Sequence, residues 1–166
     1  MRGPFIPLGD ADGWEPDYSD PAHNGPLLVD DELWFYYRGS RNNERDHTDR
    51  YTMRFGLAKL RRDGFVSLNG GNDPGQVITR PLTAEGRSLF VNAEVQKDGW
   101  VKAAVLSDKS QPKSPYTLDD SNPVTTNTTR GRLTWKQVEE LEFPKDDHVR
   151  LLFQMKNAKL YAFWLE

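Results

Sequence analysis

Leu89-Phe90-Val91-Asn92-Ala93-Glu94-Val95-Gln96-Lys97-Asp98-Gly99-Trp100-Val101-Lys102-Ala103-Ala104-Val105 alternates with a period of two. Leu89, Val91, Ala93 and Val95 fall on one side and Phe90, Asn92 and Glu94 on the other, which is the pattern of a half-buried strand. After the turn signal Lys97-Asp98-Gly99, the residues Val101, Ala103 and Val105 repeat it. Downstream, Ser107 to Thr128 is polar, carries three prolines and reads mostly as loop. Arg132-Leu133-Thr134-Trp135 reads as a short strand, and Gln137 to Leu141 as a single helical turn. Val149, Leu151, Phe153 and Met155 alternate again. Asn157-Ala158 then signals a turn and Leu160 to Leu165 returns, so the end of the chain reads as a hairpin.

Upstream, the turn cluster Gly70-Gly71-Asn72-Asp73-Pro74-Gly75 divides the sequence. Before it, Pro26-Leu27-Leu28-Val29, the acidic turn Asp30-Asp31 and Glu32-Leu33-Trp34-Phe35-Tyr36-Tyr37-Arg38-Gly39 read as a hairpin. Tyr51 to Leu60 supplies a further strand, with Met53, Phe55, Leu57 and Leu60 as candidates for burial. Arg61-Arg62-Asp63-Gly64 turns, and Phe65-Val66-Ser67-Leu68 continues that sheet. Arg41 to Arg50 holds ten residues, six of them charged, and reads as a solvated loop. No long helix and no internal repeat is legible. Short antiparallel strands with turns about every ten residues predict an all-β fold, an antiparallel β-sandwich of jelly-roll type.

Composition agrees with that class and excludes others. The 166 residues include 13 Gly and 11 Pro beside 5 Trp, 6 Tyr and 8 Phe. Turn formers and large pleat-filling side chains together favour many short strands. A mean hydropathy of −0.77 suits sheets with one wet face. With no cysteine, disulfide scaffolds, thiolate metal sites and cysteine nucleophiles are excluded. No apolar run approaches the roughly 20 residues of a membrane span. A net charge of −3 argues against a general nucleic-acid binder, whose affinity rests on phosphate neutralisation. Met1-Arg2-Gly3-Pro4-Phe5 lacks the apolar centre of a signal peptide, so cytoplasmic expression is expected; a chain that had lost a leader would read the same.

Chemistry-bearing motifs are sparse. There is no Gly-x-Ser-x-Gly elbow, no phosphate-cradling glycine loop and no His-Glu-x-x-His. His23, His47 and His148 are scattered, and none has a neighbour at metal-ligand spacing. The strip from Asp10 to Asn24 gathers acids, Trp14, His23 and an amide on an irregular, proline-punctuated segment. Its plainer reading is a hydrophilic loop whose aspartates cap turns. Asp10-Ala11-Asp12-Gly13 opens like a calcium loop, but Trp14 and Pro21 occupy places where that pattern needs ligands. Asn127-Thr128-Thr129 matches the glycosylation acceptor and means little without a secretory signal. Sugar rings stack on exposed aromatic faces while nearby Asp, Asn and Arg satisfy hydroxyls. Trp14, Trp100 and Tyr116 lie in or beside loops and are the candidate platforms. Trp34, Tyr36, Trp135 and Trp164 fall within strands and read as core.

The order of segments resembles a known plan. Arg2-Gly3-Pro4-Phe5-Ile6-Pro7, Gly13-Trp14-Glu15 and Pro26 to Tyr37 resemble the closing blade of five-bladed β-propeller glycoside hydrolases of the invertase-like and arabinanase-like families. Gly56 to Leu68 resembles the segment leaving the propeller. Gly75 to Leu82, Leu89 to Ala93 and Val149 to Phe163 are similar to the C-terminal β-sandwich of such proteins. The resemblance implies a propeller-blade-like sheet over residues 1–71 followed by a β-sandwich domain over 72–166. It also implies no catalysis by this chain alone, because the acids of these enzymes converge from several blades. Asp20, His23 and Asn24 would lie on the leading loop of the last blade, at the pocket rim.

The expected function is therefore a non-catalytic, carbohydrate-associated module accessory to a propeller glycoside hydrolase. Its rivals are a glycoside hydrolase subunit working with a partner chain, and a ligand-free structural domain. The binding candidates are Trp14, Asp20, His23, Asn24, Trp100 and Tyr116. No catalytic residue and no cofactor is assigned, a structural calcium ion excepted. A carbohydrate is the expected ligand, and neither nucleic acid nor membrane is expected. A second copy or partner chain would cover the open edge of the blade-like sheet.

Overall fold

The computed structural model describes residues 4–41, 52–83, 85–136, 138–144 and 147–166. The protein is all-β, with antiparallel sheets that do not close into a barrel, an arrangement consistent with a β-sandwich. Among the described residues no helix occurs, so none is long and apolar enough to cross a membrane. The chain forms two compact units, Met1–Arg62 and Asp63–Glu166.

The first unit is a sheet built around β3 (Glu32–Arg41). β1 (Tyr18–Pro21) and β2 (Leu27–Val29) share one edge of β3, at Pro21↔Tyr37 and Leu27↔Trp34, and β4 (Thr52–Arg61) covers the whole of the other. The β2–β3 turn was legible: Asp30 sits at φ 53, a left-handed conformation that aspartate tolerates. The register places Tyr18, Asp20, Leu27, Trp34, Tyr36, Arg38, Met53, Phe55, Leu57 and Lys59 on one face. Phe35 and Tyr37 lie on the opposite face, and the N-terminal segment packs over them. Phe5 meets Phe35 edge-on at 4.7 Å and Trp14 stacks on Tyr37 at 5.7 Å. Gly39 makes that packing feasible, since a Cβ there would lie 2.4 Å from Glu15 Cβ and 2.8 Å from the Trp14 ring.

The first face is open. Met53, Phe55 and Leu57 are 50%, 81% and 39% exposed, where alternation in sequence predicted burial. Tyr36, expected in the core, is 46% exposed. Alternation identifies which side chains share a face but not whether anything covers that face. Among the described residues of this unit only Gly39 and Ser40 are buried. The expected solvated loop after Arg41 and its His47 lie outside the described residues.

The second unit contains the apolar core. Its axis is a two-stranded ribbon of β8 (Leu89–Ser107) and β11 (His148–Leu165), paired from Val149↔Ser107 to Leu165↔Leu89. Along the other edge of β11 lie β5 (Leu68–Gly70), β6 (Gly75–Ile78) and β7 (Leu82–Thr83) in turn. β10 (Thr128–Trp135) pairs with the first half of β8, and β9 (Ser121–Asn122) pairs with β10. Leu68–Gly70 thus belongs to this sheet rather than continuing the first one.

Two turn signals prove not to reverse the chain. Pairing passes from Lys156↔Trp100 directly to Ala158↔Val95, leaving Gln96 to Gly99 opposite Asn157. Asp98 and Asn157 both adopt positive φ, 59 and 44. An Asp-Gly pair and an Asn supply left-handed backbone equally well to a hairpin or to a bulge, and here they let both long strands bend together. The predicted terminal hairpin is therefore one strand. Both halves of the ribbon point Leu89, Val91, Val101, Val105, Leu151, Phe153 and Leu160 into one core, completed by Leu133 and Trp135. The predicted helical turn over Gln137–Leu141 is absent where described: Val138 bridges back to Trp135.

Candidate functional site

Tyr18 and Asp20 alternate on β1, so both side chains stand on the open face of the first sheet, opposite Ser40 and Arg38 of β3. Arg38 Nε donates to Asp20 Oδ2 at 2.9 Å, and Arg38 Nη2 donates to the Tyr18 hydroxyl at 3.3 Å. The guanidinium also lies 5.7 Å from the Tyr18 ring centroid. Beside this network opens a groove of about 390 Å³, lined by Asp20, His23, Tyr36, Arg38 and Phe55. Two exposed aromatic rings thus flank an ordered carboxylate–guanidinium pair.

The Tyr18 hydroxyl and the Arg38 guanidinium hold the Asp20 carboxyl below the usual carboxylate range. That is the reverse of what a glycosidase acid requires, since a proton donor at neutral pH needs a raised pKa. At neutral pH Asp20 is thus held as an acceptor and Arg38 as a donor. Side by side they suit vicinal hydroxyls, one accepting and one donating, while Tyr36 and Phe55 offer apolar faces.

The sequence-predicted residues are distributed unevenly. Asp20 and His23 meet in this groove, and Asn24 follows on the exposed β1–β2 loop. Trp14 belongs to the opposite side of the same sheet. It stacks on Tyr37, whose hydroxyl donates to Glu15 Oε1 at 3.2 Å; burial, then the Glu15 charge, push the Tyr37 hydroxyl above its usual pKa. The neighbouring turn closes through Gly13 N–H to the Asp10 carbonyl at 2.7 Å and is gripped by Arg41, which donates to the Ala11 and Gly13 carbonyls. A guanidinium there is a poor neighbour for a cation, and among the described residues no three His, Asp or Glu side chains group as metal ligands.

In the second unit, Trp100 is half-buried with the Lys102 ammonium 5.7 Å from its ring. Tyr116 is corrected from platform to core. Only 5% exposed, it packs edge-on against Trp135 at 5.3 Å and against Phe143 at 5.4 Å, and its hydroxyl accepts from the Glu142 amide at 2.9 Å. A loop position in sequence did not mean a surface position, because this loop pairs with the second half of β8, where the Val105 amide donates to the Tyr116 carbonyl at 2.9 Å.

Sequence reasoning missed Tyr36, Arg38 and Phe55. The signal was present in the strand periodicity, which places Tyr36 and Arg38 on one face, but pairing with Asp20 needs the β1–β3 register. Comparison of the chain with protein-family models, with curated proteins and with solved structures finds no match.

Proposed function

We propose that this protein is a non-catalytic, carbohydrate-associated β module, accessory to a glycoside hydrolase of the propeller type its segments resemble, with the Asp20–Arg38 groove as its sugar-binding surface. The observation that carries this reading is the ordered Asp20–Arg38–Tyr18 network set between exposed Tyr36 and Phe55. Flat aromatic faces take the C–H side of a pyranose ring, and the fixed ion pair takes its hydroxyls. The low pKa of Asp20 favours recognition over general-acid catalysis.

The reading is tested by binding of the full chain to arrayed oligosaccharides and polysaccharides. Tyr36→Ala and Phe55→Ala should each weaken retention about tenfold, the weight of one aromatic contact of ~1.4 kcal/mol. Tyr116→Phe should leave retention unchanged. Absence of retention on every glycan ends the sugar reading.

A second reading rests on a different observation: no apolar side chain is buried among the described residues of the first unit, and its open face carries Leu27, Met53 and Leu57 besides the aromatics. A partner chain supplying further blade-like sheets would cover that face. Under this reading Leu27→Ser and Leu57→Ser abolish co-purification with such a partner, while soluble sugar binds neither form.

A further inference from the structure

We infer, resting on the sugar reading above, that the ligand is an extended, neutral polysaccharide laid along β3. It is held at a second place, formed by Glu32, Trp34 and Lys59, as well as at the Asp20–Arg38 groove. One device is built twice on this face. At the groove, Arg38 grips the Asp20 carboxylate and donates to the Tyr18 hydroxyl. Further along β3, the Trp34 indole N–H donates to Glu32 Oε2 at 3.0 Å, and Lys59 Nζ lies 3.2 Å from the same oxygen. The Lys59 ammonium also sits 4.2 Å from the Trp34 ring centroid. Each place thus joins a carboxylate, a cation and an aromatic side chain. The Trp34 N–H and the Lys59 ammonium hold the Glu32 carboxyl below the usual carboxylate range, as Tyr18 and Arg38 hold Asp20.

The register of β3 fixes the spacing of the two places. Trp34 stands between Leu27 and Lys59, and Arg38 between Asp20 and Phe55. Four residues along one strand separate these rows by about 14 Å, at ~3.4 Å per residue. Tyr36 lies midway on the same face and is 46% exposed. A single sugar ring covers one row, whereas a chain of linked rings running along β3 meets both and crosses Tyr36. Charge selects the class of chain. A polyanion laid here meets the Asp20 and Glu32 carboxylates, and a polycation meets Arg38 and Lys59. A neutral polyhydroxyl chain meets no like charge and finds a carboxylate acceptor and a cationic donor at each place. Once one place is filled, the second contact forms at high effective concentration, so affinity grows with chain length.

Isothermal titration of the full chain with the disaccharides and hexasaccharides of cellulose, xylan, mannan and arabinan tests this. One series should bind, its hexasaccharide about a hundredfold tighter than its disaccharide. In Glu32→Gln and in Lys59→Met that ratio should shrink about tenfold, the weight of one hydrogen bond to a charged group. Both side chains are about half exposed, so the fold is kept, as unchanged circular dichroism should show. Glu139→Gln, the same kind of change in the second unit, should leave the ratio where it was. Equal affinity for disaccharide and hexasaccharide, or a ratio unmoved by Glu32→Gln and Lys59→Met, overturns the extended site while the groove keeps its sugar. Tighter binding of polygalacturonate than of any neutral hexasaccharide overturns it as well. Binding of no sugar at all ends both this inference and the sugar reading beneath it.

Discussion

Asp20 and Tyr116 show how much a single residue's role depends on its neighbours. Asp20 lies on a strip of acids that sequence alone reads as turn caps, yet Tyr18 and Arg38 fix it as a lasting anion. Its folded pKa is depressed, so its contribution to stability is present above the ordinary unfolded value near 4 and is lost as pH falls through the folded value. In an NMR titration of the carboxyl carbons, Tyr18→Phe and Arg38→Met should each move the Asp20 midpoint upward; an unmoved midpoint would show the network absent in solution. Trp135 is the counterpart in the core, 1% exposed with Nε1 donating to the Ala103 carbonyl at 3.1 Å. Trp135→Ala should cost about 3–5 kcal/mol in denaturant unfolding monitored on the second unit. Tyr116→Phe, which leaves the Glu142 amide without its acceptor, should cost about 1 kcal/mol.

At the scale of elements, the bend shared by β8 and β11 organises the second unit. A Cβ at Gly99 would stand 2.4 Å from the Asn157 carbonyl oxygen and 2.9 Å from those of Gln96 and Lys156, all of them backbone atoms. Gly99→Ala should therefore lower the unfolding midpoint by the equivalent of about 2 kcal/mol or more. Asn157→Gly should be nearly neutral, because it keeps the positive φ available, while Asn157→Val should cost about 1–2 kcal/mol. Equal stabilities for the glycine and valine variants would mean that the bend is not fixed at that residue. The alternation of β8 and β11 was readable residue by residue. Their continuity was not, since a local left-handed residue serves a reversal and a bulge alike.

For the whole molecule, the two units differ in what holds them. The second has a contiguous core running from Leu89 to Leu160, whereas the first relies on strand pairing, the Trp14–Tyr37 and Phe5–Phe35 contacts and ion pairs such as Arg38–Asp20. Amide exchange of the intact chain should thus be slowest along β8 and β11 and many-fold faster along β3 and β4, because a sheet with no fully buried apolar side chain among its described residues meets little resistance to opening. Ligand or a partner chain should slow β3 and β4 selectively. The sequence by itself determined the all-β class, the core-facing positions of β8 and β11, the β2–β3 hairpin and the nearness of Asp20 to His23. These follow from period-two patterning and from the backbone tolerance of Asp, Asn and Gly, which are properties of neighbours along the chain. Only the tertiary structure decided that β8 and β11 run unbroken past their turn signals, that Tyr116 is buried, that Tyr36 and Phe55 are exposed, and that Arg38 meets Asp20. Those outcomes depend on which strand lies beside which and on what covers each face, and a pattern of alternation is the same on a covered sheet and an open one.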